Sequence, residues 1–141
     1  MQRNDPELDR LLFRLLNPYG DDRLAAADPA AAAEDVLDVL QAHASGLLAE
    51  PGRFQAVLTL ALTLATEDVP LLGGVEAQHE GLHGLRQIEQ EAGLAATQEA
   101  ITAVLVRFLE LLRTLLGPRS VARLVAQSQR ALRRRQTHRH P

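Results

Sequence analysis

Residues 97–116, TQEAITAVLVRFLELLRTLL, form the longest apolar pattern in the chain and decide its fold class. Large apolar side chains recur along this stretch at alternating spacings of four and three residues, the spacing that packs one helix against others in a bundle. The residues at these positions are Ile101, Leu105, Phe108, Leu112 and Leu115. Other apolar residues widen the stripe beyond what one partner helix can cover. The pattern therefore predicts a long helix at the centre of a helical bundle.

The wide apolar stripe also suggests an interaction seam. Obligate dimers bury surfaces of this kind against a second copy of themselves, so we expect the seam to bind a protein partner, and a homodimer is the simplest form. The alternative is that the chain's own helices over residues 8–16 and 36–40 cover the stripe internally. The sequence leaves both arrangements open.

The rest of the chain repeats the helical signal. Residues 54–67, FQAVLTLALTLATE, are apolar nearly all round, and three threonines make their only polar strip. The apolar fraction is 46%, Trp is absent, and no stretch alternates with period two for long enough to predict a strand. We therefore predict an all-α fold, a helical bundle of five or six helices, with residues 54–66 and 97–116 as its core.

Charge is distributed unevenly along the chain. All 18 acidic residues lie at or before Glu110, whereas the C-terminal end is rich in arginine and lysine is absent throughout. We expect residues 1–129 to form the bundle domain, and residues 130–141 to form a basic arm that is disordered and adds no apolar burial. The arm contains Arg130, Arg133, Arg134, Arg135 and Arg139. Clustered arginines bind phosphates, so a nucleic-acid-associated protein is one alternative function.

Composition also bears on the compartment. Cysteine is absent, which excludes disulfides and thiolate chemistry, and no apolar run approaches the length of a membrane span. The first ten residues, MQRNDPELDR, are too polar for a signal peptide. We therefore expect a cytoplasmic protein without a membrane partner, and the bias towards Arg, Ala and Leu indicates a high-GC bacterial genome.

The stretch HEGLHGLR, residues 79–86, is the one place where several chemically active side chains lie close together in the sequence. On a helical wheel, residues 75–92 place His79 and His83 on one side, facing away from the apolar residues. The apolar side is formed by Val75, Leu82, Leu85, Ile88 and Ala92. This pattern predicts a helix over residues 75–92 with both histidines exposed one turn apart.

As H-E-x-x-H, the same stretch matches the signature of zinc proteases. That chemistry would use His79 and His83 as metal ligands and Glu80 as the general base on a metal-bound water. A third protein ligand would have to come from elsewhere in the chain. The candidates by proximity are Glu89, Glu91 and Glu99. A zinc-dependent hydrolase is therefore a second alternative function.

Counted from His83, the stretch also resembles the phosphate-accepting segment of histidine-phosphotransfer domains. Leu85 lies two residues on, the basic residue Arg86 lies three residues on, and Gly93 stands at the tenth position. The Gly and Ser with which the family follows its basic residue are replaced by Gln87 and Ile88. The resemblance covers residues 83–93. It implies a helical bundle without a cofactor, in which His83 accepts a phosphoryl group and Arg86 neutralises the added charge.

Outside this stretch the sequence contains no glycine-rich phosphate loop and no nucleophile elbow. The simplest interpretation is that the two histidines are solvated surface residues. We therefore predict a non-enzymatic helical protein-interaction or signalling adaptor that binds no cofactor. His83 is its candidate phosphoryl acceptor and Arg86 the charge partner. The zinc hydrolase and the nucleic-acid-associated protein are the alternatives.

Overall fold

The structure is a computed structural model that describes residues 6–16, 29–48, 52–78 and 81–139. Over these ranges the chain forms six α-helices, one 3₁₀ helix and one β-hairpin. In chain order they are α1 (Pro6–Leu16), α2 (Pro29–Leu48), α3 (Arg53–Asp68), the 3₁₀ helix (Pro70–Gly74), β1 (Glu76–Gln78), β2 (Gly81–His83), α4 (Leu85–Ala92), α5 (Leu94–Leu116) and α6 (Pro118–Arg139). The predicted all-α fold is confirmed.

Helix α5 is the central element of the bundle. It packs most extensively against α3 and also contacts α1, α2, α4 and α6. Phe108 of α5 is completely buried, and its ring meets that of Phe54 in α3 edge to face, with the ring centroids 5.1 Å apart. Aromatic pairs favour this arrangement because the positive ring edge meets the negative ring face.

The apolar stripe of α5 is enclosed by the chain's own helices. Four of its five predicted seam residues are at most 3% exposed, namely Ile101, Leu105, Phe108 and Leu112. Leu115, at the C-terminal end, is 55% exposed. The interpretation of this stripe as an exposed interaction seam is therefore wrong for the first four residues, because α1, α2, α3 and α6 together cover the wide arc that one helix could not.

Helix α3 lies at the surface of the bundle as well as in its core. One side of it is buried against α5, whereas Leu60 on the other side is 49% exposed. The hydroxyls of Thr59 and Thr63 donate hydrogen bonds to the carbonyl oxygens of Gln55 and Thr59, at 2.8 and 3.0 Å. The prediction of a core helix is thus correct for one side of α3 only.

The predicted helix over residues 75–92 is wrong in its first half. Residues 76–78 and 81–83 pair as antiparallel strands in which Glu76 lies opposite His83, and the helix begins only at Leu85. The reason lies at Gly84, which has a φ of +107°, a conformation that interrupts an α-helix and that L side chains rarely adopt. The predicted apolar side is nevertheless buried, except for Ala92. Its buried members are Val75, Leu82, Leu85 and Ile88.

Helix α6 crosses the predicted boundary between the bundle and the basic arm. It continues to Arg139, so residues 130–139 are helical. Leu132 is only 3% exposed and belongs to the core. The expectation that this segment adds no apolar burial is therefore wrong, because the apolar side of α6 extends past residue 130.

Candidate binding groove and basic helix face

A groove of about 750 Å³ lies between helix α2 and the segment that runs from β2 into α4. It is lined by Glu34, Asp35, Asp38 and Gln41 of α2 and by Leu82, His83, Gly84, Leu85 and Arg86. The buried side chains of Leu82 and Leu85 anchor the second wall to the core. The buried leucines therefore fix the positions of the polar lining residues next to them in the sequence.

The α2 wall of the groove is acidic. Asp38 lies four residues after Glu34 and three residues after Asp35, which places its carboxylate next to both of theirs on the helix surface. Glu34 and Asp38 are exposed and Asp35 is half-buried. Three carboxylates side by side reinforce one another's negative potential in the concave space that they line.

The opposite wall carries the two residues singled out by the sequence, His83 and Arg86. Successive side chains of a strand point to opposite faces, and accordingly Leu82 is buried while His83 is exposed. Arg86, in the first turn of α4, is also exposed and lines the same groove. Asp35, Asp38, His83 and Arg86 each already make at least one interaction within the protein. The structure therefore brings His83 and Arg86 together, and it adds an acidic wall that the sequence reasoning did not connect with them.

The zinc interpretation requires both histidines on one α-helix. His79 and Glu80 lie outside the described residues, and His83 lies on strand β2 rather than one turn along a helix. Within the part of the chain that the structure describes, no three His, Asp or Glu residues form a group that could hold a metal ion. The candidate third ligands Glu89, Glu91 and Glu99 therefore form no such group with His83.

The residues that carry the histidine-phosphotransfer resemblance are distributed over two elements. His83 ends strand β2, whereas Leu85 and Arg86 begin helix α4, and Gly93 ends that helix with a φ of +93°. The helix that the resemblance implied around His83 is therefore a strand. His83 is exposed, and Arg86 lines the same groove.

Helix α6 carries a solvent-exposed basic face. With 100° per residue, its exposed arginines fall within an arc of about 100°, and the outermost two lie about 22 Å apart along the helix axis. They are Arg119, Arg123, Arg130, Arg133 and Arg134. The side chains of Arg135 and Arg139 lie outside the described part. The predicted basic arm begins only at residue 130 and therefore omits Arg119 and Arg123, which lie earlier on the same helix.

Comparison with models of protein families, with curated proteins and with solved structures found no match for this chain. No helix in the described ranges is long and apolar enough to cross a membrane. The groove and the basic face of α6 are therefore the features on which a functional proposal can be based.

Proposed function

We propose that the protein is a helical interaction module that binds a cationic segment of a partner protein in the groove between α2 and the β2–α4 segment. The observation that carries this proposal is the acidic wall formed by Glu34, Asp35 and Asp38. An arginine or lysine side chain of the partner would lie against this acidic wall. Bidentate pairing makes arginine the better fit for carboxylates.

The openness of the groove supports recognition rather than catalysis. Glu34, Asp38, His83 and Arg86 are all exposed, so water reaches the charged groups. Enzyme sites exclude water in order to strengthen the interactions that stabilise a transition state. A partner segment needs only complementary charge and shape, and a groove of this kind supplies both.

The strength of this interaction should be modest and salt-dependent. An exposed ion pair contributes roughly 0.2–1 kcal/mol, so three such pairs together change affinity by about tenfold. Screening over a distance of about 10 Å at 0.1 M salt weakens each pair further. We therefore expect reversible binding whose affinity falls as ionic strength rises.

The test is titration of the protein with a fluorescent peptide of alternating arginine and alanine. The triple variant E34Q/D35N/D38N should bind the peptide about tenfold more weakly than the original protein. The matched control is D9N/E91Q/E99Q, which removes the same charge from exposed positions outside the groove. Equal losses in both variants would mean that the peptide responds only to net charge, and the proposal would be wrong.

Phosphoryl transfer to His83 is a second candidate, supported by the exposure of its imidazole and by Arg86 in the same groove. Phosphorylation adds a charge of about −1.5 to −2, which Arg86 would stabilise and the carboxylates of α2 would repel. The acidic wall thus favours a cationic ligand over an added phosphoryl group. The carboxylates of Asp35 and Asp38 would strengthen the binding of a cation and weaken the binding of a phosphoryl group. Removing these carboxylates therefore distinguishes the two candidates experimentally.

Binding of a polyanion by α6 is the third candidate. Five exposed arginines on one face of α6 would displace counterions from the phosphates of a nucleic acid. None of the residues from Gly117 to Pro141 is acidic, and none is Phe, Tyr or Trp. Such a face would contact the phosphate backbone and would not read base sequence by stacking.

A further inference from the structure

The outer side of helix α3 carries an exposed stripe with the spacing of a helix–helix seam. Its members are separated by three, four, three and four residues, and all of them are exposed. They are Arg53, Ala56, Leu60, Thr63 and Glu67. Between Arg53 and Glu67, over about 21 Å of helix, there is no charged residue.

The middle of this stripe is unusually apolar for a solvent-facing helix. Surface helices normally place charged and polar residues on the side away from the core. Here Leu60 is 49% exposed, Ala56 has no polar group, and the hydroxyl of Thr63 already donates to the carbonyl of Thr59 within the helix. The face therefore has the character of a packing surface with one charge at each end.

The two end charges have the wrong sign for their own helix. The N-terminus of an α-helix is partially positive and its C-terminus partially negative, so the dipole of α3 favours neither Arg53 at its start nor Glu67 in its last turn. Arg53 does make an interaction within the chain. The neighbouring Asp68 is accounted for within the chain, because Arg107 of α5 pairs with its carboxylate at 2.9 Å. Glu67 has no corresponding ion pair within the described residues.

We infer that a second copy of this chain packs antiparallel on α3, with the two-fold axis passing beside Leu60. Residues 53 and 67 are equidistant from residue 60, so Arg53 would lie opposite the partner's Glu67, and the reverse pair would form by symmetry. Each charge would then lie beside the end of the partner's helix that its sign favours. The two copies of Leu60 would meet at the axis, and Ala56 would leave room for close approach.

The stripe fits a second copy better than an unrelated partner. A face with a positive end, an apolar centre and a negative end is its own complement under a two-fold rotation. One helix face of this length buries less than the roughly 800 Å² per partner of a standard stable complex, so the dimer should be weak and reversible. This inference uses no residue of the groove and does not rest on its proposed ligand.

The first test is sedimentation velocity from micromolar to near-millimolar protein at low salt. We expect a reversible shift from monomer to dimer, and we expect Leu60→Glu to weaken association by about tenfold or more. Leu115→Glu is the matched control, since Leu115 is a similarly exposed leucine outside α3. A protein that stays monomeric throughout, or that loses association equally in the control, overturns the inference.

Charge exchange provides the sharper test of the antiparallel arrangement. Arg53→Glu alone and Glu67→Arg alone each place like charges opposite one another at both ends, and each should abolish association. Mixing the two single variants should restore it, because every pair in the mixed dimer is again of opposite charge. The double variant R53E/E67R should also associate. Failure of the mixture and of the double variant to recover overturns the proposed pairing, and circular dichroism checks that each variant remains folded.

Discussion

Gly84 and Gly74 approach each other so closely that a Cβ atom on Gly84 would lie 3.0 Å from the carbonyl oxygen of Gly74. The same atom would lie 3.3 Å from the Cα of Val75. Gly84 also has a φ of +107°. Space and backbone conformation thus both require glycine at this position, where β2 passes into α4. This close approach fixes His83 and Arg86 on either side of Gly84 beside the groove.

We expect Gly84→Ala to destabilise the protein by about 2 kcal/mol or more, because a strained backbone costs roughly 1–2 kcal/mol and the backbone clash adds to it. Gly93→Ala tests a positive φ without a contact, since Gly93 has a φ of +93°, a ψ of 174° and nothing within 4 Å of its added Cβ. Gly73→Ala has neither strain nor contact and should stay within about 0.5 kcal/mol. Urea unfolding measures all three variants, and a loss at Gly84 no larger than the loss at Gly73 would contradict the requirement for glycine at position 84.

The edge-to-face pair of Phe54 and Phe108 should be a main source of core stability. Phe108→Ala leaves a cavity at the interface between α3 and α5, and we expect it to lower the free energy of unfolding by about 3–5 kcal/mol. Leu115→Ala removes a side chain from the same helix that is 55% exposed, and should change stability by less than about 0.5 kcal/mol. Chemical denaturation measures the free energy of unfolding of both variants. Similar losses of stability at both positions would contradict the burial of the α5 stripe by the chain's own helices.

Helix α5 shows what apolar spacing can predict. Its alternating three- and four-residue pattern predicted the helix and its packed side, and Ile101, Leu105 and Phe108 are buried. The same pattern could not predict what covers the stripe, because burial by the chain's own helices and burial by a partner require the same residues. Only the positions of α1, α2, α3 and α6 distinguish the two cases.

The hairpin shows where the spacing fails. Val75, Leu82 and Ile88 fit the apolar side of a helix and are buried, although the first two are not in one. Burial of these positions does not depend on a single helix, because the hairpin and α4 both pack against the core. The positive φ of Gly84 explains why the helix begins only at Leu85. The acidic wall could not be foreseen beside His83 because Asp38 is separated from it by more than forty residues of sequence.

The exposed arginines of α6 give a test of polyanion binding. We expect R123Q/R130Q to weaken binding to duplex DNA and to lower the slope of log affinity against log salt by about 0.9 for each phosphate that is no longer neutralised. The control R10Q/R14Q removes the same charge from exposed positions on α1. Electrophoretic mobility shifts at several salt concentrations measure both, and an equal loss in the control would show that α6 has no special role. Neither variant should change stability noticeably, since all four side chains are exposed.

His83→Gln separates the two proposals for the groove. His83 is exposed, so we expect the substitution to change the free energy of unfolding by less than about 0.5 kcal/mol. With radiolabelled acetyl phosphate, transfer would form a bond between an imidazole nitrogen and phosphorus and release acetate. Label that is present in the original protein and absent in His83→Gln would assign the acceptor.

The paired variant D35N/D38N makes the comparison decisive, because it moves the two activities in opposite directions. Removing two carboxylates that face His83 across the groove should increase phosphoryl labelling, since the added negative charge is no longer repelled. The same variant should weaken binding of the arginine peptide by several fold, since each missing ion pair removes about 0.2–1 kcal/mol. Weaker peptide binding without any label on His83 in either protein would exclude the phosphoryl acceptor and leave the groove as a site for a cationic partner.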